Sequence, residues 1–261
     1  MEIVFFAVAM LACLIGKICG IGGGVIIKPV LDAYGLLSVE AINYLSGCTV
    51  FGMCLLSVCR GFLRGKSQIA LKTSTPLAVG AAMGGVFGKS VFSLLQQEMK
   101  VPEQAGAVQA SLLFVITLLT LFYTVRKDGI VTLHVKSGVV SIMIGAVLGA
   151  LGSFLGIGGG PMNIAALYFF YSMSTKEAAQ NSLYIIFISQ GAGLLRELFL
   201  GSIPDVSMYI LAGMILFGII GGALGSRINF YLSERAVQRL FEGLLILIMC
   251  INVYNISAII F

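Results

Sequence analysis

The pentapeptide Gly-Ile-Gly-Gly-Gly stands twice in this chain, at Gly20–Gly24 and at Gly156–Gly160, each time inside apolar sequence. Glycine costs a helix interior about 1 kcal/mol against alanine. Backbone left unpaired in hydrocarbon costs far more per group. Hydrocarbon is the expected solvent here. Hydrophobic residues fill 59% of the 261 positions, charged residues only 10%, and mean hydropathy is +1.05. A soluble domain carries about 25% charged residues. Low-charge runs of bilayer length recur at Ala41–Cys59, Pro76–Leu95, Ala105–Val125, Ser137–Leu155, Ala178–Leu195, Val206–Ser226 and Leu240–Phe261. The chain reads as one all-α polytopic membrane unit in which the same five residues break a helix twice.

The apolar segment Ile3–Ile15 does not read as a secretory signal, because Glu2 rather than a basic residue precedes it. It leads straight into the first break and is expected to belong to the mature fold. The net charge of +5 sits in short loops, as positive-inside topology requires, and forms no cluster suited to nucleic acid. The six cysteines contain no CxxC pair and lie mostly in apolar runs, where they read as small buried hydrophobes.

The two pentapeptides are 136 positions apart, and the same offset superposes Gly16 on Gly152, Ser38 on Ser174, Ser46 on Ser182, Arg60 on Arg196 and Gly65 on Gly201. A one-residue slip places Gly84, Gly85 and Gly88 on Gly221, Gly222 and Gly225. This pattern predicts two homologous four-element repeats, residues 1–128 and 136–261, each beginning with a glycine-broken helix, with a polar link at 129–135. Loop charge addresses their relative orientation. The second-to-third loop is basic in the first half (Arg60, Arg64, Lys66, Lys72), whereas its counterpart sets Arg196 against Glu197 and Asp205. The next connection reverses the bias: Lys100 lies between Glu98 and Glu103, while Arg227, Arg235 and Arg239 face one Glu234. Swapped charge favours inverted repeats. Inversion requires each broken element to return to its starting side, and Ile3–Ile15, about 20 Å long, is too short to cross alone. An eight-span parallel arrangement remains open, since Ser137–Leu155 is long enough to cross. The pairs Gly84/Gly88, Gly145/Gly149, Gly218/Gly222 and Gly221/Gly225 have the spacing that lets helices approach closely.

Enzymatic patterns are missing. The segments Gly84–Ser90 and Gly61–Ser67 end in Gly-Lys-Ser, but Met83 and Arg60 stand where a phosphate-binding loop needs its first glycine. His134 is the sole histidine and falls in the polar link. No catalytic triad or metal-ligand cluster is visible, so neither enzyme chemistry, cofactor nor metal is expected. The chain looks like a conduit.

Polar residues at membrane depth are then the informative ones, because a charge at the bilayer centre costs roughly 2.5–3.5 kcal/mol. Lys17 precedes the first break, Lys28 follows it, and Lys89 lies in the third-element run. Snorkelling from helix ends is the plainer account of Lys28 and Lys89. Half-helices starting after Gly24 and Gly160 would aim free N–H groups at a shared point, which with Lys17 suits an anion. Gly22, Gly23, Gly24, Gly158, Gly159 and Gly160 are therefore the candidate backbone donors. Asn163, Asn181, Ser182 and Gln190 are the candidate orienting side chains, although Asn181 and Ser182 could equally serve a helix start. The first half offers Asn43, Ser46, Thr49 and Ser57 at the corresponding helix.

The segments Leu155–Pro161 and Thr175–Ser182, with a weaker copy at Cys19–Pro29, resemble the sulfite exporter TauE/SafE family, also called the toluene sulfonate uptake permease family. The resemblance spans essentially the whole chain. It implies a secondary transporter of the bacterial inner membrane that moves sulfite, a sulfonate or a related sulfur-containing anion. Where that family carries small or polar positions after the first break, Val25-Ile-Ile-Lys28 intervenes here.

The expected partners are the lipid bilayer, a small anionic substrate and a coupling ion, proton or sodium, with a homo-oligomer also compatible. Asp32, Glu40, Glu177 and Glu197, the carboxylates that could carry a proton, lie near run ends. Two other readings stand beside the carrier. One is a passive anion channel; the other is a sulfur-relay factor using Cys48, Cys54 and Cys59.

Overall fold

The structure, a computed structural model, describes residues 2–63, 65, 68–98 and 102–260. Arg64, Lys66 and Lys100 of the loop-charge pattern lie outside the described residues. The described residues form ten α-helices: α1 (Glu2–Cys19), α2 (Gly24–Tyr34), α3 (Val39–Leu63), α4 (Leu71–Glu98), α5 (Pro102–Arg126), α6 (Gly138–Phe154), α7 (Gly160–Tyr171), α8 (Thr175–Leu200), α9 (Met208–Tyr231) and α10 (Glu234–Ile260). Seven of them, α1, α3, α4, α5, α8, α9 and α10, are long and apolar enough to cross a membrane, and α6 is a shorter apolar helix. Among the described residues no strand occurs, and the protein is a multi-pass membrane protein.

Local sequence sets the helix boundaries. Ser174 and Glu177 form a capping box that starts α8, and Gly201, in the left-handed region, ends it. Ser137 caps α6. At the start of α7, Gly159 turns the chain at φ 81° and Pro161 fixes the first turn. Two prolines are inside helices. Pro76 lies five residues into α4, so that helix starts ahead of the run expected from Pro76, and Pro29 lies in the middle of α2.

Glycine contacts establish how the helices run. Gly80, Gly84 and Gly88 of α4 lie against the carbonyls of Ile142, Ala146 and Ala150 of α6, while Gly145 and Gly149 lie against those of Leu77 and Ala81. Gly221 and Gly225 of α9 lie likewise on Met10 and Leu14 of α1. A Cβ at any of these glycines would overlap the facing backbone, so the small-residue spacing is there for close packing. Both sets advance four residues at a time on both helices, so each of these pairs is parallel. Gly47 of α3, in contrast, faces Gln190 and Leu194, and Gly191 of α8 faces Phe51, which makes α3 and α8 antiparallel. Thr49 and Met53 against Gly218 and Gly222 make α3 and α9 parallel. Thus α1, α3 and α9 point one way and α4, α6 and α8 the other.

Each break folds the chain back. Gly23, at the start of α2, touches Cys13 and Ala12, well short of the end of α1 at Cys19. Gly159, at the start of α7, touches the Leu148 carbonyl in the same manner. Because α1 and α3 point the same way, α2 must carry the chain back toward the end where α3 begins. The breaks, α2 and the inner stretches of α3, α7 and α8 form one buried core.

Candidate functional site

The two breaks meet. Gly160 lies against the Ile21 carbonyl, and a Cβ on Gly24 would stand 3.2 Å from both the Ile157 carbonyl and Ser46 Oγ. The helix starts of α2 and α7 therefore abut at the centre of the bundle, with their positive dipole ends together. Gly16 and Gly152 make room for this, since each touches the backbone of its own break. The other walls come from α3 and α8: Gly20 lies against Ala179, Gly156 against Asn43, and Gly22 against Val50 and Ile186.

Backbone donors survive at this crossover. The N–H groups of Gly22, Gly23, Gly24, Gly159 and Gly160 find no acceptor among the described residues. Gly158 corrects the sequence reading, because its N–H closes onto the Gly152 carbonyl at 3.1 Å. At φ 72°, with a Cβ position 2.6 Å from Gln190 Nε2, Gly158 supplies room and not a donor.

The candidate side chains divide. Ser182 is fully buried and its Oγ has no partner, and the same holds for Ser46, its counterpart at the offset of 136. Asn43 Oδ1, beside Gly156, is also buried without a partner. Gln190 reaches over Gly158 and Gly47, and Asn163 stands beside Gly159, both buried. Buried polar atoms without partners are uncommon, and three of them lie around the two helix starts. Asn181 is different. Its amide donates to the Gln68 and Glu177 carbonyls and accepts from Ala70 N–H and Ser74 Oγ, which ties α8 to the α3–α4 connection. It is a tether whose hydrogen-bonding capacity is filled. Thr49, Ser57 and Ser189 also bond within their own helices.

The lysines separate in the same way. Lys17 has no carboxylate partner among the described residues; it stands beside Gly225, within electrostatic reach of the buried Cys54. Lys28 does not snorkel: it is 2% exposed and pairs with Asp32 at 3.1 Å, one turn along α2. Lys89 likewise turns inward, to Glu197 of α8 at 2.7 Å. Among the described residues Lys17 is thus the unneutralised charge near the crossover.

Outside the crossover, a polar pocket of about 370 Å³ opens between the α3–α4 connection, the α5–α6 link and the start of α8, with Gln68, His134, Lys136, Ser172 and Asn181 in its wall. His134 is exposed there and shares a 3.0 Å hydrogen bond with Ser172. The three cysteines of the relay reading do not converge. Cys54 is buried, Cys48 half-buried and Cys59 exposed. Cys54 is turned away from the other two on α3, and Cys48 and Cys59 are about three turns apart. No group of three or more potential metal ligands occurs among the described residues.

Asn43 and Ser46 are the residues that pattern reading left outside the candidate set. The offset of 136 pairs Ser46 with Ser182 and was signal enough for one of them; Asn43 pairs with Ala179 and carries no such mark.

Comparison with known proteins agrees with this architecture. The family model described as "Sulfite exporter TauE/SafE" matches residues 5–252. The chain is 23% identical to the "Probable membrane transporter protein YunE" of Bacillus subtilis (strain 168), over 97% of each chain. No solved structure matches it. A chain matched over nearly its whole length by one family model, built of bilayer-length helices around two broken ones, is a membrane transport protein and belongs to the sulfite exporter TauE/SafE family.

Proposed function

We propose that the protein is a secondary transporter that carries a small sulfur-containing oxyanion, sulfite or a sulfonate, through the crossover by alternating access. The observation that carries this reading is the abutment of two helix starts, with free N–H groups, among the unpartnered side chains of Asn43, Ser46 and Ser182. Helix starts select anions through aligned N–H groups and the positive dipole end. Lys17 adds a full charge, and Asn163 and Gln190 fix orientation. The family's description supplies the sulfur oxyanion.

Two halves related by inversion account for alternating access. The helix order α1–α5 is repeated by α6–α10, α3 and α8 run antiparallel, and α4 packs on α6 as α9 packs on α1. A two-fold axis in the membrane plane relates such an arrangement, and rocking one half against the other would expose the crossover to each side in turn. Orientation follows from charge. Arg60, Lys72, Lys136, Lys176, Arg227 and Arg235 all lie toward the end where α8 begins, and the opposite end is mainly acidic. The positive-inside bias assigns the basic end, with its polar pocket, to the cytoplasm of a bacterial inner membrane.

Isothermal titration of purified protein with sulfite, sulfoacetate, taurine and thiosulfate tests the substrate class. Saturable binding of one of them is expected; no binding of any would refute it.

A further inference from the structure

We propose that Glu197 is the proton-binding carboxylate of the transport cycle and that Lys89 exchanges partners between Glu197 and the travelling anion. This rests on the anion-carrier reading of the crossover and adds the coupling ion, which nothing above assigns. The geometry is a stripe on α8. Ser182, Ile186, Gln190, Gly193 and Glu197 follow one another at steps of three and four residues, so they share one helix face. Ile186 touches Gly22 and Gln190 touches Gly158, which places the upper part of the stripe on the crossover. Glu197 is two turns beyond Gln190, about 10 Å further toward the acidic end.

At that point α8 is latched to α4. Lys89 Nζ meets Glu197 Oε1 at 2.7 Å, and Gly193 has no side chain where Lys89 crosses, since a Cβ there would stand 2.9 Å from Nζ. Arg196 donates to Ser90 Oγ at 3.0 Å beside it. Glu197 Oε2 is buried and has no donor. The groups facing the pair are Tyr44 and Cys48 of α3, hydrogen-bonded to each other, and Arg196 of α8 itself. The carboxylate thus has one oxygen held by an ammonium and one free to take a proton.

Charge balance gives the mechanism. With Glu197 ionised, the pair is neutral and Lys89 is occupied. A proton added to Oε2 makes a neutral acid, leaves Lys89 as an unpaired cation, and loosens the link between α4 and α8. An anion leaving the crossover then takes the place of the carboxylate, and the site is neutral again. One proton accordingly accompanies one negative charge. A sodium ion would have to sit beside the Lys89 ammonium and suits this place poorly. The Lys28–Asp32 pair differs in kind, because both residues belong to α2 and breaking it releases no helix from another.

The test uses proteoliposomes of full-length protein and the sulfur-radiolabelled panel of sulfite, sulfoacetate, taurine and thiosulfate. Counterflow exchange without a pH gradient and accumulation driven by an imposed pH gradient are measured for wild type and Glu197→Gln. Wild type is expected to do both, and the variant to keep counterflow while losing gradient-driven accumulation. Wild-type accumulation by the variant would overturn proton coupling at Glu197 alone. No counterflow by wild type would overturn the carrier reading and this proposal together. Should Glu197→Gln not fold, the lumenal pH of wild-type proteoliposomes is followed during downhill uptake of whichever panel anion shows counterflow. Proton movement with the anion supports the proposal, and uptake without proton movement overturns it.

Discussion

The Ile21 carbonyl lies against Gly160, and the mirrored contact sets the Ile157 carbonyl 3.2 Å from the Cβ position of Gly24. Each broken helix is thus the wall against which the other begins. Gly160 has no room for a side chain, because the opposing atom is backbone that cannot rotate away, and Gly24 has only a tight fit. The close packing that holds the breaks also keeps the two helix starts side by side.

Gly160→Ala tests this contact. The added methyl must push the Ile21 carbonyl aside, at a cost of roughly 1–3 kcal/mol. Gly129, with nothing within 4 Å of its Cβ position, is the control. Thermal unfolding in detergent is expected to show a clear loss for Gly160→Ala and almost none for Gly129→Ala. Equal midpoints would mean that the breaks do not lock each other.

The buried Lys28 and the part-buried Asp32 form a pair on α2, and removing the aspartate strands the lysine. Asp32→Leu is expected to destabilise by roughly 3 kcal/mol, with much of the loss recovered in Lys28→Met/Asp32→Leu. A double-mutant cycle by denaturant unfolding measures the coupling. Additive effects would show that the pair contributes nothing as a pair.

Asn181 is assigned to stability. Asn181→Ala leaves the Ala70 N–H and the Ser74 hydroxyl without their acceptor and should cost roughly 1–3 kcal/mol. The midpoint of unfolding should fall while anion affinity stays within about twofold of wild type, a difference of under 0.5 kcal/mol. An affinity loss with unchanged stability would return Asn181 to the binding site.

Much of this arrangement can be read from the chain. Bilayer-length runs locate six of the seven long helices. However, α1 extends past Ile3–Ile15 to 18 residues and is long enough to cross, while the run Ser137–Leu155 yields only the shorter α6. Paired glycines four residues apart locate the α4–α6 and α1–α9 contacts. The offset of 136 aligns Ser46 with Ser182. Hydrogen-bond saturation is another matter. Asn181 and Ser182 are neighbours in sequence and equally polar, yet the α3–α4 connection folds over one and leaves the other bare. Gly158 and Gly160 look alike as letters, but a turn back to Gly152 occupies only the first. Lys28 and Lys89 read as helix-end lysines because their partners are set by three-dimensional neighbours: one turn along a buried helix for Lys28, and a helix more than a hundred residues away for Lys89. Composition and periodicity report which face is apolar; they do not report which polar group finds a partner.

The most direct measurement of the central claim is the affinity of the anion for Ser46→Ala/Ser182→Ala. Both hydroxyls are buried and unpartnered, so removing them costs the fold little. A hydrogen bond to a charged ligand contributes about 1.5 kcal/mol or more, so the double variant should bind at least about tenfold more weakly. Titration calorimetry together with thermal unfolding reads both quantities. Weakened binding at an unchanged unfolding midpoint is the predicted result. Undiminished affinity in a folded double variant would contradict the claim that the anion binds where the two broken helices meet.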